Sequence, residues 1–406
     1  MKRLDERKVM RDPIHEYIHV DNDVIWASIN APEFQRLRRI HQLGPTYMVY
    51  HTAEHSRFSH SLGVYEIVRR MIDEVKGLKE QLTEFDQLAV MLAGLLHDLG
   101  HGPFSHAFEW ISPKNHEFYT EQLLKSDSVI HEILVKEHPD LPHAVADIIG
   151  HRYHNPLCTQ MISGQLDADR MDYLLRDAYF TGTSYGQFDL ERVLRTMRVK
   201  ERRLVIKESG IHTVEDYIMA RYHMYWQVYY HPVSRSFEAL LSQFFHRLKD
   251  MYQQSPLSVD SLRMFEPYLK NSEVTNQDVQ NMDEAACLYG FMLATHHPDT
   301  ILSDLAKRLL NRHLFEYKDI ESEEQIQQVK KNIELCGFDP SYYFWVDTQR
   351  QKPYQPYQGK ESSLIWILRN NGEVKELSEM SVIVKAIVHG ENKQDRKMFY
   401  PKECEV

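Results

Sequence analysis

The 406-residue chain carries a formal net charge of -11 and a pI near 6.1, which argues against a protein whose main partner is nucleic acid, although an acidic chain can still hold a local basic pocket. Its hydrophobic fraction of 42% supplies real cores and excludes wholesale disorder. The cysteines Cys158, Cys287, Cys336 and Cys404 show no C-x-x-C spacing, no apolar segment follows the opening MKRLDERK, and the longest near-apolar run, Leu88 to Leu96, is far short of the ~20 residues of a membrane span. No thiolate zinc site, disulfide framework, secretory signal or membrane helix is expected, and a reducing cytoplasm fits best.

In chain order, the first thirty residues read as a short strand, Tyr17 to Val20, a turn at Asp21-Asn22 and a short helix. Asn30 serves as a candidate N-cap before Pro32, and Phe34, Leu37, Ile40 and Leu43 follow at helical spacing as far as Gly44-Pro45. Leu62, Val64, Tyr65, Val68, Met71, Ile72 and Val75 predict a helix from Ser59, and a second helix runs from Thr83 to His97, stopped by Gly100 to Pro103. Further helices are expected at 115-125, 127-137, 140-151, 168-180 and 213-230, with a strand from Arg203 to Lys207. After about residue 255 the pattern changes. Polar helical stretches reach Glu334, a Tyr/Pro/Gln-rich segment runs from Tyr342 to Gln358, and the Ile/Val-rich runs Leu364 to Leu368 and Val382 to Val388 read as strands. The expected architecture is mainly α: a helical core over 1-254 and a smaller α+β region over 255-406, the latter concerned with oligomerisation or regulation.

The chain has 23 histidines, concentrated between His41 and His154 and again from His212 to His231. Histidine is the commonest metal ligand and titrates nearest neutrality. The strongest local signal is His97-Asp98 in LAGLLHDLGHGPFSH. Adjacent residues on a regular helix point about 100° apart, so both reach one ion only where the helix is ending. Taken alone, the pair reads best as a capping interaction. His60 in RFSHSLGV and Asp169 in LDADRMDYLLRD, with Asp167 and Asp172 nearby, complete a mixed N/O set. Such a set suits Mn, Fe, Zn or Mg and leaves positions for water and a phosphate oxygen. By contrast, His296-His297 lacks partner carboxylates and reads as a helix end, and the aromatic run Tyr342 to Trp345 reads as a packed edge or subunit interface.

The order H…HD…D, together with FQRLRRIHQLG, RFSHSLGV, GLLHDLGHGPFSH and DADRMDYLLRD, resembles the HD phosphohydrolases, and in particular the HD-type dNTP triphosphohydrolases. The resemblance covers roughly residues 8 to 240. It implies His60, His97, Asp98 and Asp169 as metal ligands and Arg57, Arg170 and Arg221 as phosphate-holding cations. Arg170 stands where mammalian members have lysine, which keeps the charge but changes the donor geometry. It implies acid/base roles for His101, His106, Glu109 and His116, the last two as a dyad. Gln42 and Asp177 resemble the pair that binds a sugar 3′-hydroxyl, Leu43 and Tyr173 the floor that excludes a 2′-hydroxyl, and Tyr229 the aromatic beside the sugar. Tyr225 replaces a mammalian histidine.

Lys8, Gln35, Arg38 and Arg198 match part of the family's nucleotide-effector machinery, with Asn30 in place of a guanine-reading aspartate. An amide donates as well as accepts, so the implied activator is dGTP or another dNTP. The resemblance also implies a homo-oligomer, most simply a tetramer. The reaction it implies is dNTP plus water giving deoxynucleoside plus triphosphate. Two alternatives stand beside it: an HD enzyme acting on another phosphoester, such as a nucleotide monophosphate or a nucleic-acid end, and a nucleotide-sensing regulator with a vestigial site.

Overall fold

A computed structural model describes residues 2–270, 272–350, 364–389 and 394–404. Its centre is a group of helices around the buried Arg57–Glu74 helix, which packs on Glu84–Leu96 and on Ala168–Thr181. Their inner faces share one hydrophobic core that continues into the C-terminal region. Thr83 and Asp86 form a reciprocal capping box that starts Glu84–Leu96. Two glycines set the distances on which the site depends. A Cβ on Gly63 would fall 1.8 Å from Asp172 Oδ1, so the Arg57–Glu74 helix can approach Ala168–Thr181 closely only there. A Cβ on Gly100 would meet the His116 carbonyl oxygen at 2.1 Å, so the turn after His97-Asp98 lies directly on the start of the His116–Lys125 helix.

The expected helices at 115-125, 127-137, 140-151 and 168-180 are present as His116–Lys125, Val129–Glu137, Leu141–Ile149 and Ala168–Thr181. Several expectations are corrected. Arg3–Asp12 is a strand that pairs antiparallel with Glu16–Asn22, which the sequence reading did not anticipate. Asn30 is not an N-cap but the last residue of Asp23–Asn30; Ala31 holds the cap position and the next helix stops at Arg36, passing into a 3-10 turn at Leu37–Arg39. Arg36, at that point, sends its buried guanidinium to the carbonyl oxygens of Leu99, His101 and Met282. The expected helix 213-230 is α-helical only from Ile211 to Met224 and widens into a π-helical turn over Tyr225–Tyr229. Val382 to Val388 forms a helix, Val382–His389, instead of a strand. Ser381 Oγ accepts the Val384 amide at its start, and Val384 and Val388 are buried one turn apart.

The C-terminal region carries two small sheets. Arg203–Lys207 pairs with Met197–Lys200 on one side and, in parallel, with Trp366–Leu368 on the other; Val374–Glu376 closes that sheet. Gln394–Tyr400 lies between Glu316–Asp319 and Trp345–Arg350 in the second. The strand Trp345–Arg350 begins within the stretch read as Tyr/Pro/Gln-rich, whose part from 351 onward lies outside the described residues. The long Pro232–Gln254 helix joins the halves, packing on Thr300–Leu310 and on the turns at 44–48 and 105–110. Among the described residues, no helix is long and apolar enough to cross a membrane.

Candidate metal centre and cavity

His60 comes from the first turn of Arg57–Glu74, His97-Asp98 from the end of Glu84–Leu96, and Asp169 from the first turn of Ala168–Thr181. The Asp167 side chain N-caps this last helix by accepting the Arg170 amide at 2.7 Å. His60 Nε2 lies 3.0 Å from Asp169 Oδ1, and His97 Nε2 lies 3.7 Å from the same oxygen. Asp98 adjoins both imidazoles, with Oδ1 3.3 Å from His97 Nε2 and Oδ2 3.9 Å from His60 Nε2. Two donors each about 2.1 Å from one ion, at right-angled to tetrahedral spacing, stand about 3.0–3.4 Å apart. The His60, His97 and Asp169 atoms therefore already converge as ligands of a single cation would. His97 supplies the test of fit. Its Nδ1 is fixed on the Gly94 carbonyl oxygen at 2.9 Å, while its Nε2 is buried and lacks a hydrogen-bond partner. A divalent cation would satisfy that atom.

Behind His60 lies a chain of buried ionic contacts. Asp172 accepts from His60 Nδ1 at 2.8 Å, His15 Nε2 lies 2.6 Å from its other oxygen, and Arg176 bridges Asp172 to Asp12. Burial opposes charging of His60, but hydrogen bonds to Asp169 and Asp172 outweigh it and hold the imidazole up to about 10. Burial likewise opposes ionisation of Asp172, yet Arg176, His15 and His60 keep it well below the usual carboxylate range. Outer contacts of this kind orient metal-binding imidazoles.

Arg57 donates to Asp98 Oδ2 at 2.5 Å and to Ser105 Oγ at 2.7 Å. His101 Nε2 stands 3.3 Å from Asp98 Oδ1 and stacks on His116 with centroids 3.7 Å apart. Burial, then the neighbouring Arg57 and His116, hold His101 well below the usual histidine range, so it is neutral near pH 7. His116 Nδ1 meets Glu109 Oε1 at 2.6 Å, which brings the expected dyad together. The His106 side chain lies outside the described residues.

These groups line one end of a cavity of about 570 Å³. At its other end Asp177 is clasped by His55 Nε2 at 2.8 Å and by the Tyr229 hydroxyl at 2.6 Å. Gln42 lies on the same wall with a buried Oε1 that has no hydrogen-bond partner, and Leu43 and Tyr173 complete the lining. The π turn delivers Tyr225 and Tyr229 to the cavity, and Tyr225 brings its hydroxyl to 3.5 Å from that of Tyr173. Single π turns recur at functional sites.

Not every expected residue reaches the cavity wall. Arg170 is drawn to Asp167 and to the Gly164 carbonyl oxygen, and Arg221 donates to Gln165 Oε1 at 3.0 Å; both stand behind Tyr173. Asn30, Gln35 and Arg38 lie close together, but their side chains bond locally: Asn30 to the Trp26 carbonyl oxygen, Gln35 to that of Ile29, and Arg38 to Gln35 Oε1. Lys8 lies on the Arg3–Asp12 strand, and Arg198 bonds to the Arg195 and Met197 carbonyl oxygens. Sequence reasoning left several positioning residues unassigned: Asp12, His15, Arg36, His55, Asp172, Arg176 and Glu284. Glu284 is buried and its Oε1 accepts the amides of His41 and Phe104, the latter in the left-handed region at φ 56°. Only Asp172 left a trace in the sequence, three residues after Asp169 and four before Arg176.

Family models for the HD domain and the HD associated region match residues 57–177 and 188–405. The uncharacterized protein YwfO of Bacillus subtilis strain 168 is 46% identical over 99% of this chain and 94% of its own length. A protein of Dictyostelium discoideum named as a deoxynucleoside triphosphate triphosphohydrolase SAMHD1 homolog is 29% identical over 82% of this chain and 69% of its own. The crystal structure of a phosphohydrolase from Bacteroides thetaiotaomicron superposes with a TM-score of 0.85 at 27% identity, covering 97% of this chain and 100% of that one.

Proposed function

This chain belongs to the HD-domain phosphohydrolase family, and from that premise we propose that it converts deoxynucleoside triphosphates and water into deoxynucleosides and inorganic triphosphate. The observation that carries the reading is a single cavity with a cation-binding corner at one end and the Gln42, Asp177 and Tyr229 corner at the other. The relatives named as dNTP triphosphohydrolases support it.

His60, His97, Asp98 and Asp169 would hold a divalent cation, which would supply Lewis acidity toward a phosphate oxygen and make a water easier to deprotonate. Its identity among Mn, Mg, Fe and Zn is set by availability as much as by ligand type. Arg57, immobilised by Asp98 and Ser105, places a fixed positive charge where the phosphates lie. Glu109 on Nδ1 orients His116 for proton transfer through Nε2 to the departing 5′ oxygen, and neutral His101 stacks beside it. Asp177, already clasped by His55 and Tyr229, accepts from the sugar 3′-hydroxyl, and the buried Gln42 oxygen gains a donor from the same sugar. Leu43 and Tyr173 exclude an added 2′-hydroxyl. Arg170 and Arg221 join the phosphates by side-chain rearrangement.

The regulatory part of the reading is a homotetramer activated by dGTP or another dNTP at a site that includes Lys8, Asn30, Gln35, Arg38 and Arg198. Metal-stripped protein titrated with Mn, Mg, Fe and Zn against each dNTP, alone and in mixtures, tests both parts. Metal-dependent release of triphosphate is expected, faster in mixtures that contain the activator. Release of monophosphate or orthophosphate without triphosphate rejects the reaction. Equal rates on single and mixed dNTPs reject the effector.

A further inference from the structure

Two of the four cysteines, Cys158 and Cys287, are buried singly in the core. The other two meet. Cys336 caps the end of the Glu323–Leu335 helix, and Cys404 closes the terminal turn Lys402–Cys404 that packs against it. The Cys336 sulfur lies 3.6 Å from the carbonyl oxygen of Glu403, the residue that leads directly into Cys404. Cys336 is exposed, whereas Cys404 is only 3% exposed.

We propose that Cys336 and Cys404 are a peroxide-responsive dithiol, closing reversibly into an intramolecular disulfide. The two environments assign the order of steps. Exposed Cys336 releases its proton and attacks hydrogen peroxide as its thiolate; the O–O bond breaks, the departing hydroxide takes up a proton as water, and Cys336 becomes a sulfenic acid. The Cys404 sulfur then attacks the Cys336 sulfur, the S–O bond breaks, and the departing hydroxide takes the Cys404 proton as a second water. Overall two thiols lose two electrons and two protons, and one peroxide becomes two waters. Burial and the adjacent Cys336 push the Cys404 thiol up to about 12, so it stays protonated and waits for its partner to react first. Arg308, ion-paired with Glu403 at 2.9 Å, contributes a positive charge beside the pair.

The position gives the bond a consequence. Cys404 follows closely on the Gln394–Tyr400 strand, whose Asp395 grips Arg235 on the cavity wall together with Asp347 of Trp345–Arg350. A bridge to the Glu323–Leu335 helix fastens the far end of that strand and restricts the unfolded chain.

The test treats reduced full-length protein with equimolar hydrogen peroxide, blocks residual thiols and digests without reductant. The expected result is a linked Cys336–Cys404 peptide, a mass lower by two hydrogens, and a thermal midpoint raised by several degrees, all reversed by dithiothreitol. Cys336→Ser, an exposed change that leaves the fold intact, abolishes all three. Dimedone-trapped or over-oxidised Cys336 without the linked peptide overturns the proposal, as does a disulfide-linked dimer through Cys336.

Discussion

At the metal corner each imidazole is fixed from outside the cavity, His60 by Asp172 and His97 by the Gly94 carbonyl oxygen, while facing inward His60 Nε2 meets Asp169 Oδ1 and His97 Nε2 is buried without a hydrogen-bond partner. At the opposite end of the cavity the carboxylate itself is satisfied, since Asp177 already receives His55 and Tyr229, while the Gln42 oxygen and His55 Nδ1 are buried without partners. The first arrangement is incomplete without a positive ion. The second holds its carboxylate already paired and offers geometry more than charge. Buried polar atoms without partners are costly, so a bound group that satisfies them contributes at both ends.

Substitutions separate the two ends. Asp169→Asn, which removes a charged ligand, is expected to lower turnover by about a thousandfold or more and to reduce metal content measured after dialysis; a variant that keeps full metal and activity breaks the contrast. Asp172→Asn leaves Arg176 and His60 without their shared buried anion and is expected to cost about 3–5 kcal/mol in denaturant unfolding. A loss well under 1 kcal/mol there means that the network is not structural. Tyr229→Phe removes one hydrogen bond to Asp177, so kcat/KM for dNTPs falls roughly tenfold, about 1.4 kcal/mol, with metal content unchanged; loss of metal here would join the two corners into one unit. The smallest effect lies away from both. Asp86 is opposed by burial but held below its ordinary value of 3.8 by Tyr153, Thr83 and Asn155. Because its folded value is the lower one, its stabilisation is present above pH 3.8 and disappears as pH falls through the folded value. Asp86→Asn therefore costs about 1 kcal/mol near neutrality, and circular-dichroism unfolding curves of variant and parent converge below that pH.

What could be read from the sequence follows how local each feature is. His60, His97-Asp98 and Asp169 announce themselves because each sits in a short string with a visible helix start or stop. The ionic chain behind them is invisible beforehand, because Asp172 reaches His60 only where Gly63 lets two helices touch. Val382 to Val388 looked like a strand by its β-branched content, but burial at every fourth residue and the Ser381 cap decided for a helix. The π turn at Tyr225–Tyr229 leaves no periodic signature, since it adds one residue to a turn without changing composition. Phosphate roles for Arg170 and Arg221 came from resemblance, whereas their present partners, Asp167 and Gln165, are set by packing.

Arg36 is fully buried, and burial holds its guanidinium down to about 10; it spans the Leu99 and His101 carbonyl oxygens on one side and that of Met282 on the other. Together with Glu284 on the Phe104 amide, it makes residues from the second half of the chain part of the scaffold beneath the loop after His97-Asp98. Cutting the chain near residue 254 would remove the Met282 carbonyl oxygen and leave the Arg36 Nε without its acceptor.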